Sequence, residues 1–144
     1  MVSTNAARDA YDDLPLQVWT ARVDGTLDFV NARVAEFFRV DRQQVLDHGW
    51  KDLCHPLDLI AANEKWQKSL LSGLPYEVSF RLLSGMDNQF RWHIGRAEPM
   101  RDEAGKVSGW LGYNTDVDAL RRAEEVTAAA LAHARFELAR AADR

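Results

Sequence analysis

The hydrophobic pattern is clearest in residues 89–99 and 107–116, where aromatic and β-branched residues alternate with polar ones on either side of a short polar stretch. Asp and Gly residues in that stretch favour a turn, so the pattern predicts an antiparallel hairpin. Both faces of the hairpin carry groups that favour burial, because Leu111 and Tyr113 alternate with Trp110. A sheet with one solvated face shows a cleaner alternation of apolar and polar residues. We therefore expect other parts of the chain to cover both sides of the hairpin.

The preceding part of the chain divides into short elements. Alternation predicts strands at residues 17–23, 27–30 and 76–83, while residues 4–12 and 57–72 are predicted as helices, with shorter helical stretches between the second and third strands. The predicted buried stripe of the longest of these helices comprises Leu59, Ile60, Asn63, Trp66, Gln67, Leu70 and Leu71. Two strands, then helices, then three strands indicate an α+β fold with an antiparallel sheet rather than alternating βαβ units.

Residues 119–142 contain no Gly or Pro and are rich in Ala, Leu, Arg and Glu, so they predict one long helix. A heptad seam runs through Val117, Leu120, Leu131, Ala134, Leu138 and Ala141, although Glu124 and Thr127 also fall on it. An isolated helix of this length is marginally stable in water. We expect a parallel two-chain coil that leads to another domain, and the alternative is a tail that packs back on its own domain.

Composition limits the classes of function. With 144 residues, 47% hydrophobic and 28% charged, the chain has the size and composition of one globular domain. Its net charge of −4 provides no basic footprint for nucleic acid or an anionic membrane. Cys54 is the only cysteine, which excludes an internal disulfide and favours a reducing compartment. The sequence has no long apolar run and no signal-peptide pattern, so we expect a soluble, cytoplasmic protein with no membrane contact in these residues.

Motifs spread along the chain carry a resemblance to a known family. They are Val18-Trp19-Thr20-Ala21, Asp24-Gly25, Asn31, Trp50, His55-Pro56-Leu57-Asp58, Gly73, Tyr76-Glu77, Phe80-Arg81, Arg91-Trp92, Pro99, Asp102, Gly105, Gly112 and Thr115-Asp116-Val117. In these residues the chain resembles a PAS domain of the Trp-rich subgroup. The resemblance covers residues 14–117 and implies a five-stranded antiparallel sheet with short helices over one face. Residues 1–13 are then an N-terminal cap helix, and residues 118–144 a linker helix. Two departures are Leu57, where the family has an acidic residue, and Asp118, where it has Thr.

The tail carries a second resemblance. Residues 131–142 resemble the run that precedes the phospho-acceptor helix in FixL-like sensor histidine kinases, and the phospho-acceptor histidine itself is absent from these residues. This implies a sensory input module without catalytic residues of its own, followed in cis by a histidine kinase of a two-component system. Three alternatives stay open. They are a structural dimerisation module without ligand, the input domain of a transcription regulator, and a small enzyme that uses Asp58, His55 or His93 as an acid or base.

The resemblance also implies a pocket between the sheet and the helices. Its expected ligand-binding residues are Trp19, Trp66, Phe80, Leu82, His93, Trp110 and Asn114. Haem-binding members use a histidine on the long helix, which has none here, and flavin photochemistry uses a cysteine in an Asn-Cys-Arg-Phe-Leu-Gln motif that does not match the surroundings of Cys54. We therefore expect neither cofactor and no metal site, and leave open an unknown small molecule or an empty structural pocket.

The opposite face of the sheet is the expected dimer surface. With two leucines of the tail, it comprises Trp92, Ile94, Leu111, Tyr113, Leu131 and Leu138. Periodicity alone would instead bury Trp92 and Ile94 in the core, because they are the larger apolar residues. Asp116, Val117 and Leu120 are the expected coupling residues, since they lie on the covalent path from the sheet to the tail helix.

Overall fold

The chain forms one antiparallel sheet with helices packed on it, in a computed structural model that describes residues 5–143. The strands are β1 (Gln17–Ala21), β2 (Leu27–Val30), β3 (Tyr76–Leu83), β4 (Phe90–Arg101) and β5 (Val107–Asp116). The helices are α1 (Asn5–Asp12), α2 (Ala32–Phe38), α3 (Arg42–His48), α4 (Pro56–Ser72) and α5 (Asp118–Ala142), with a 3₁₀ turn at Lys51–Leu53. The sheet order is β2-β1-β5-β4-β3, and every neighbouring pair is antiparallel. The predicted α+β architecture is thus confirmed. Residues 1–4 of the predicted cap helix and residue 144 of the tail lie outside the described range.

The β4–β5 hairpin is the longest pairing in the sheet. It runs from the pair His93 and Asp116 to the pair Arg101 and Val107, with a bulge next to Met100. Its turn is closed by the carboxylate of Asp102, which accepts a hydrogen bond from the amide of Lys106 at 3.0 Å. The hairpin therefore places its open end, and not its turn, next to the start of α5.

Asn31 fixes the start of α2 and ties it to β1. Its side-chain oxygen accepts hydrogen bonds from the amides of Val34 at 3.3 Å and Val18 at 3.0 Å. Its amide nitrogen donates to the carbonyls of Tyr11 and Leu16, both at 2.9 Å. Asn at an N-cap commonly satisfies one free amide of the first turn, and here the same side chain also holds the segment between α1 and β1.

The main core lies between α4 and the inner face of the sheet. Trp66 of α4 is at its centre, because its ring packs edge-on against Trp19, Tyr76 and Trp110 with centroid distances of 5.6, 5.1 and 5.3 Å. Such edge-to-face pairs add stability beyond the area that they bury. His93, Gly95 and Ala97 of β4 are buried on the same face, whereas Trp92 and Ile94 lie half-buried on the other.

The predicted buried stripe of α4 is partly wrong. Ala62, Trp66 and Ser69 form the buried face, while Ile60 and Leu71 are exposed. An α-helix turns by about 100° per residue, so both exposed residues lie more than 100° around the axis from Trp66. The small side chains one turn before and after Trp66 let the helix approach the sheet with that face. The large aliphatic residues point to solvent instead.

Helix α5 leaves the domain and packs on it only at its start. Asp118 is buried and Arg121 is half-buried, and the residues from Arg122 to Asp143 are exposed. Leu120, Leu131 and Leu138 of the predicted seam have exposed side chains in the single chain. Among residues 5–143, no helix combines the length and the apolar character that crossing a bilayer requires.

Candidate ligand cavity and its connection to the C-terminal helix

A small cavity of about 50 Å³ lies between the inner face of the sheet and the helices. Its lining is almost entirely aromatic and aliphatic, with Gly25 and one amide side chain. The lining residues are Trp19, Gly25, Leu27, Val30, Val34, Phe38, Val45, Trp50, Trp66, Tyr76, Phe80, Leu82 and Asn114. Mostly apolar walls with a few placed polar groups are typical of small-molecule sites. Trp19 and Asn114, which are hydrogen-bonded to each other, supply an indole N–H and a side-chain amide that could bond a polar group of a ligand.

Five of the seven predicted pocket residues line this cavity, and two do not. Trp19, Trp66, Phe80, Leu82 and Asn114 are in the lining. Their convergence follows from the antiparallel register, which brings inward-facing residues of three strands opposite α4.

His93 and Trp110 are the two exceptions. The His93 ring is fully buried against the edge of Phe37, at a centroid distance of 4.8 Å, and is linked to the cavity only through other side chains. Trp110 is also fully buried and packs on Trp66, which itself lines the cavity. Both residues therefore pack behind residues that line the cavity or are linked to them.

Glycine in β5 makes room for the Trp19 indole. A Cβ atom on Gly112 would lie 2.2 Å from two carbons of that ring. Gly95 plays a milder version of this role, since a Cβ there would lie 3.0 Å from the Phe80 ring and 3.2 Å from the side-chain oxygen of Asn114. The inner face of the hairpin therefore has glycine at the two positions where the neighbouring strands place large aromatic side chains.

A chain of side-chain hydrogen bonds runs from the cavity into the sheet. The Trp19 indole N–H donates to Asn114 Oδ1 at 3.2 Å, and Asn114 Nδ2 donates to Gln17 Oε1 at 3.3 Å. Gln17 Nε2 lies 3.1 Å from His93 Nε2, and His93 Nδ1 lies 2.8 Å from the carbonyl oxygen of Arg91. A carbonyl can only accept, so Nδ1 carries the proton and Nε2 accepts from Gln17. All four bonds then run in one direction.

Burial keeps the His93 imidazole neutral. It lowers the pKa of His93, while the Arg91 carbonyl and the carboxylates of Asp116 and Asp118 act in the opposite direction. A protonated ring would have no acceptor to offer Gln17. The neutral form is therefore the one that completes the hydrogen-bond chain.

The start of α5 is fastened to β4 next to His93. The amide of Val117 donates to the carbonyl of Trp92 at 2.9 Å, and the amide of Trp92 donates to Asp118 Oδ1 at 3.2 Å. The amide of Asp118 in turn donates to Asp116 Oδ1 at 2.9 Å. Backbone and carboxylate groups together hold the first turn of the helix against the end of the strand.

Arginine side chains reinforce this junction. Asp118 Oδ2 lies 2.7 Å from Arg122 Nε and 3.5 Å from an Arg91 guanidinium nitrogen. The Arg121 guanidinium lies 4.3 Å from the centre of the Trp92 ring, within the range of a cation–π interaction. Because Asp118 is buried and paired, its removal would leave buried hydrogen-bond donors without a partner.

Two of the three predicted coupling residues take part in the junction. Asp116 and Val117 make the contacts just described, whereas Leu120 has an exposed side chain. The sequence reasoning missed Gln17 and the role of Asp118. Asp118 had left a signal, since it departs from the family pattern, but nothing in the local sequence singles out Gln17.

The predicted dimer surface is half-buried on the outer face of the sheet. Trp92, Ile94, Leu111 and Tyr113 share that face, and their side chains stay partly accessible. Arg81 covers part of Trp92, with its guanidinium 4.9 Å from the ring centre. The contact with a second chain, including Leu131 and Leu138, stays a prediction.

The residues considered for metal binding or acid–base chemistry have structural contacts. Burial raises the pKa of the Cys54 thiol to about 11, so the thiolate is scarce at neutral pH. His55 Nδ1 accepts the amide of Leu57 at 3.1 Å and so caps α4. Asp58 accepts two hydrogen bonds from the Arg81 guanidinium, which holds the pKa of Asp58 below its usual value. Among residues 5–143, no three His, Cys, Asp or Glu side chains converge as metal ligands.

The sheet order, the helices on its inner face and the central cavity define a PAS-type sensory domain. The profile of the PAS-fold family matches residues 27–114, which is more than half of the chain. The chain therefore belongs to the PAS-fold family.

Two curated proteins are similar in sequence to most of this chain. The chain is 32% identical over 108 residues to y4lL, an uncharacterized protein of Sinorhizobium fredii, and the match covers 75% of this chain and 13% of that protein. It is also 32% identical over 114 residues to the peroxide stress-activated histidine kinase mak1 of Schizosaccharomyces pombe, with 78% of this chain and 7% of the kinase covered. The chain thus corresponds to a small part of each relative.

A solved structure supports the fold independently. An RNA-binding Light-Oxygen-Voltage receptor superposes with a TM-score of 0.72 at 19% identity, over 87% of this chain and 36% of the receptor chain. At this level of identity the likeness establishes a shared fold.

Proposed function

We propose that this chain is the input module of a sensor histidine kinase, which binds a small molecule in the central cavity and passes the signal through α5. The observation that carries the proposal is the unbroken path from the cavity to that helix. Asn114 lines the cavity and is linked through Gln17 to His93, whose Nδ1 bonds the Arg91 carbonyl. Arg91 in turn reaches Asp118, the first residue of α5, with its guanidinium.

The size of the cavity defines the class of ligand. Its volume of about 50 Å³ is roughly a third of the ~150 Å³ apolar cavity that accepts benzene in an engineered protein. We infer a ligand of a few heavy atoms, mostly apolar, with one group that can hydrogen-bond Asn114 or Trp19. This volume, and a lining without His or Cys, favour such a ligand over haem or flavin.

The proposed mechanism uses competition for hydrogen bonds. A ligand acceptor that takes the indole N–H of Trp19 frees Asn114 Oδ1, and the Asn114 amide can then reorient. That change breaks the one-way order of the bonds to Gln17 and His93, since each amide offers its donor on one side and its acceptor on the other. His93 lies near the start of β4, where the first turn of α5 is attached. The equilibrium between the conformations of that junction therefore shifts.

A homodimer and a kinase in cis complete the proposal. The exposed leucines of α5 and the half-buried outer sheet face favour a second copy as the partner, because one chain leaves the α5 seam uncovered. The similarity to mak1 favours a histidine kinase as the output domain. A structural dimerisation module without ligand and the input domain of a transcription regulator are the competing assignments.

Hydrogen exchange tests the internal path. In Asn114→Ala, the amides of Val117 and Asp118 should exchange several-fold faster than in the wild type, since the chain of bonds that supports the junction is cut. Asn63→Ala is the matched control, because Asn63 lies on α4 and its buried Oδ1 has no hydrogen-bond partner in the described part of the chain. Equal effects of the two variants at the junction would contradict the path.

Autophosphorylation tests the output. In the full-length protein, Asp118→Asn should change the autophosphorylation rate by several-fold, as should Asp116→Ala, because both residues fasten α5 to the sheet. Unchanged rates in both variants would remove the coupling role, and a full-length protein without kinase activity would favour the competing assignments.

A further inference from the structure

Helix α4 carries a second apolar stripe on the side that faces away from the core. Leu57, Ile60, Leu71 and the following Leu74 are 80%, 72%, 89% and 64% exposed. At about 100° per residue, Leu57, Ile60 and Leu71 fall within roughly 60° of one another around the helix axis. Single exposed leucines need no explanation, but large aliphatic residues aligned on one helix face mark an interaction surface.

We propose that this stripe binds the same stripe of a second copy, with the two α4 helices antiparallel. In such a pair, residues at equal distances from the two-fold axis face each other. Ile60 and Leu71 are equidistant along the helix from the point between residues 65 and 66, and Leu57 and Leu74 stand at the start of α4 and just beyond its end. One axis therefore brings the aliphatic residues at one end of α4 onto those at the other end of the second copy.

Charge at the centre of the stripe fits the same arrangement. Glu64 and Lys68 lie between the two aliphatic pairs, and both are exposed. About the axis defined by the leucines, Glu64 of one copy comes within one residue of Lys68 of the other, and this contact occurs twice. No ion pair of residues 5–143 already engages either side chain.

The charges also decide the direction of packing. In a parallel pair, Glu64 would face Glu64 and Lys68 would face Lys68, and like charges in register destabilise an interface. In the antiparallel pair each Glu64 instead lies nearer along the axis to Lys68 of the other copy, one residue away, than to the other Glu64, three residues away. The contact uses no residue of the α5 seam, so it goes beyond the proposed kinase dimer and can be tested apart from it. Four large aliphatic residues per copy place it in the class of small, weak interfaces.

Site-specific cross-linking tests the geometry on the full 144-residue chain. A cysteine at Gln67, on the edge of the stripe, would lie three residues along the axis from its copy, or about 4.5 Å. A cysteine at Ser72 would lie thirteen residues from its copy, or about 20 Å. Gln67→Cys should therefore cross-link with a short bismaleimide, and Ser72→Cys should not. Cys54 is buried and gives little background. Equal cross-linking of both variants, or of neither, would overturn the antiparallel contact.

Charge exchange tests the interface by sedimentation, with Leu131→Glu and Leu138→Glu as a background that removes the proposed α5 contact. Glu64→Lys and Lys68→Glu should each weaken self-association about fivefold, because each converts two exposed attractions into repulsions. The double variant restores opposite charges across the axis and should return to within about twofold of the starting affinity. Ile60→Glu should abolish association, with circular dichroism as the check on folding.

Two results would overturn the proposal. One is a background chain that stays monomeric at all concentrations. The other is an association that none of the α4 substitutions alters. A failure of the α5 contact or of ligand binding would leave the predicted α4 pattern unchanged, so the two proposals fail separately.

Discussion

Gly112→Ala is expected to be among the most damaging single-methyl additions to the inner face. The new Cβ would lie 2.2 Å from Trp19 Cε2 and Cζ2 and 2.6 Å from Cδ2. Carbon atoms in contact prefer about 3.5–4.0 Å, so the indole or the strand must move by roughly 1.3 Å or more. The indole is held in place by its hydrogen bond to Asn114 and its edge contact with Trp66. Moving it therefore disturbs both the core and the hydrogen-bond chain.

The expected loss follows from those two effects. Overpacking of a well-filled core costs about 1–3 kcal/mol, and a lost hydrogen bond adds about 1 kcal/mol. We expect the free energy of unfolding to fall by about 2–4 kcal/mol, which urea titration monitored by tryptophan fluorescence and by circular dichroism measures with a small error. Gly95→Ala should lose less, about 1 kcal/mol, because its Cβ would meet only the far end of the Phe80 ring and one oxygen at 3.0–3.2 Å.

A double-mutant cycle isolates the clash. In a Trp19→Ala background the indole is absent, so adding Gly112→Ala should cost less than about 1 kcal/mol. Gly112 has no positive φ, so backbone strain does not add to its clash, whereas Gly105→Ala, at a φ of +82° and with nothing within 4 Å of the added Cβ, measures strain alone. If Gly112→Ala costs the same with and without the indole, contact with Trp19 is not the reason for the glycine, and the account of the inner face is wrong.

Two further predictions concern buried polar groups. Burial lowers the pKa of His93, so on acidification the unfolded chain binds a proton first, near pH 6.5. The stability that the neutral imidazole contributes is fully present above that pH. Below it, the free energy of unfolding should fall by up to about 1.4 kcal/mol per pH unit until the folded-state pKa is reached. Urea titrations between about pH 7 and 5 should show this slope in the wild type and a smaller one in His93→Gln, and equal slopes would contradict a neutral buried imidazole. Asn31→Ala removes four hydrogen bonds from a fully buried site and should cost about 3 kcal/mol in the same assay. A loss no larger than that of Asn63→Ala would show that water or rearrangement satisfies the freed groups.

Local signals in the sequence predicted the elements because each signal acts over a few residues. Alternation predicted β3, β4 and β5, and Asn31, a residue type favoured at helix N-caps, stands directly before α2. Gly73, which has a φ of +70°, stands directly after the last residue of α4, where glycine is the favoured residue. The choice of inner face for the hairpin came from the family resemblance rather than from periodicity. Periodicity favours the larger apolar residues Trp92 and Ile94, and the structure places them half-buried on the outer face.

Two features were beyond local reasoning for different physical reasons. Helix α4 has apolar residues around most of its circumference, so spacing alone cannot decide which of two stripes faces the sheet. Ile60 and Leu71 were assigned to the core for that reason. Gln17 is buried because it meets His93, which is 76 residues away in the sequence. A polar residue that becomes buried through a distant polar partner leaves no periodic signal.

The hydrogen-bond chain behind the cavity is not what stability alone would select. Replacing both partners of a buried hydrogen bond with apolar groups of the same shape is often neutral or stabilising, so an aliphatic lining would serve the fold equally well. Directed amide and imidazole groups add something that aliphatic groups lack, because the orientation of each group fixes that of the next. In the proposed mechanism Arg91 links this chain of bonds to α5, since its carbonyl accepts from His93 while its guanidinium lies 3.5 Å from Asp118. If the imidazole of His93 reorients, the Arg91 carbonyl loses its hydrogen bond, while the Arg91 side chain is the one that contacts the first residue of α5. The proposed function therefore needs no large movement of the sheet.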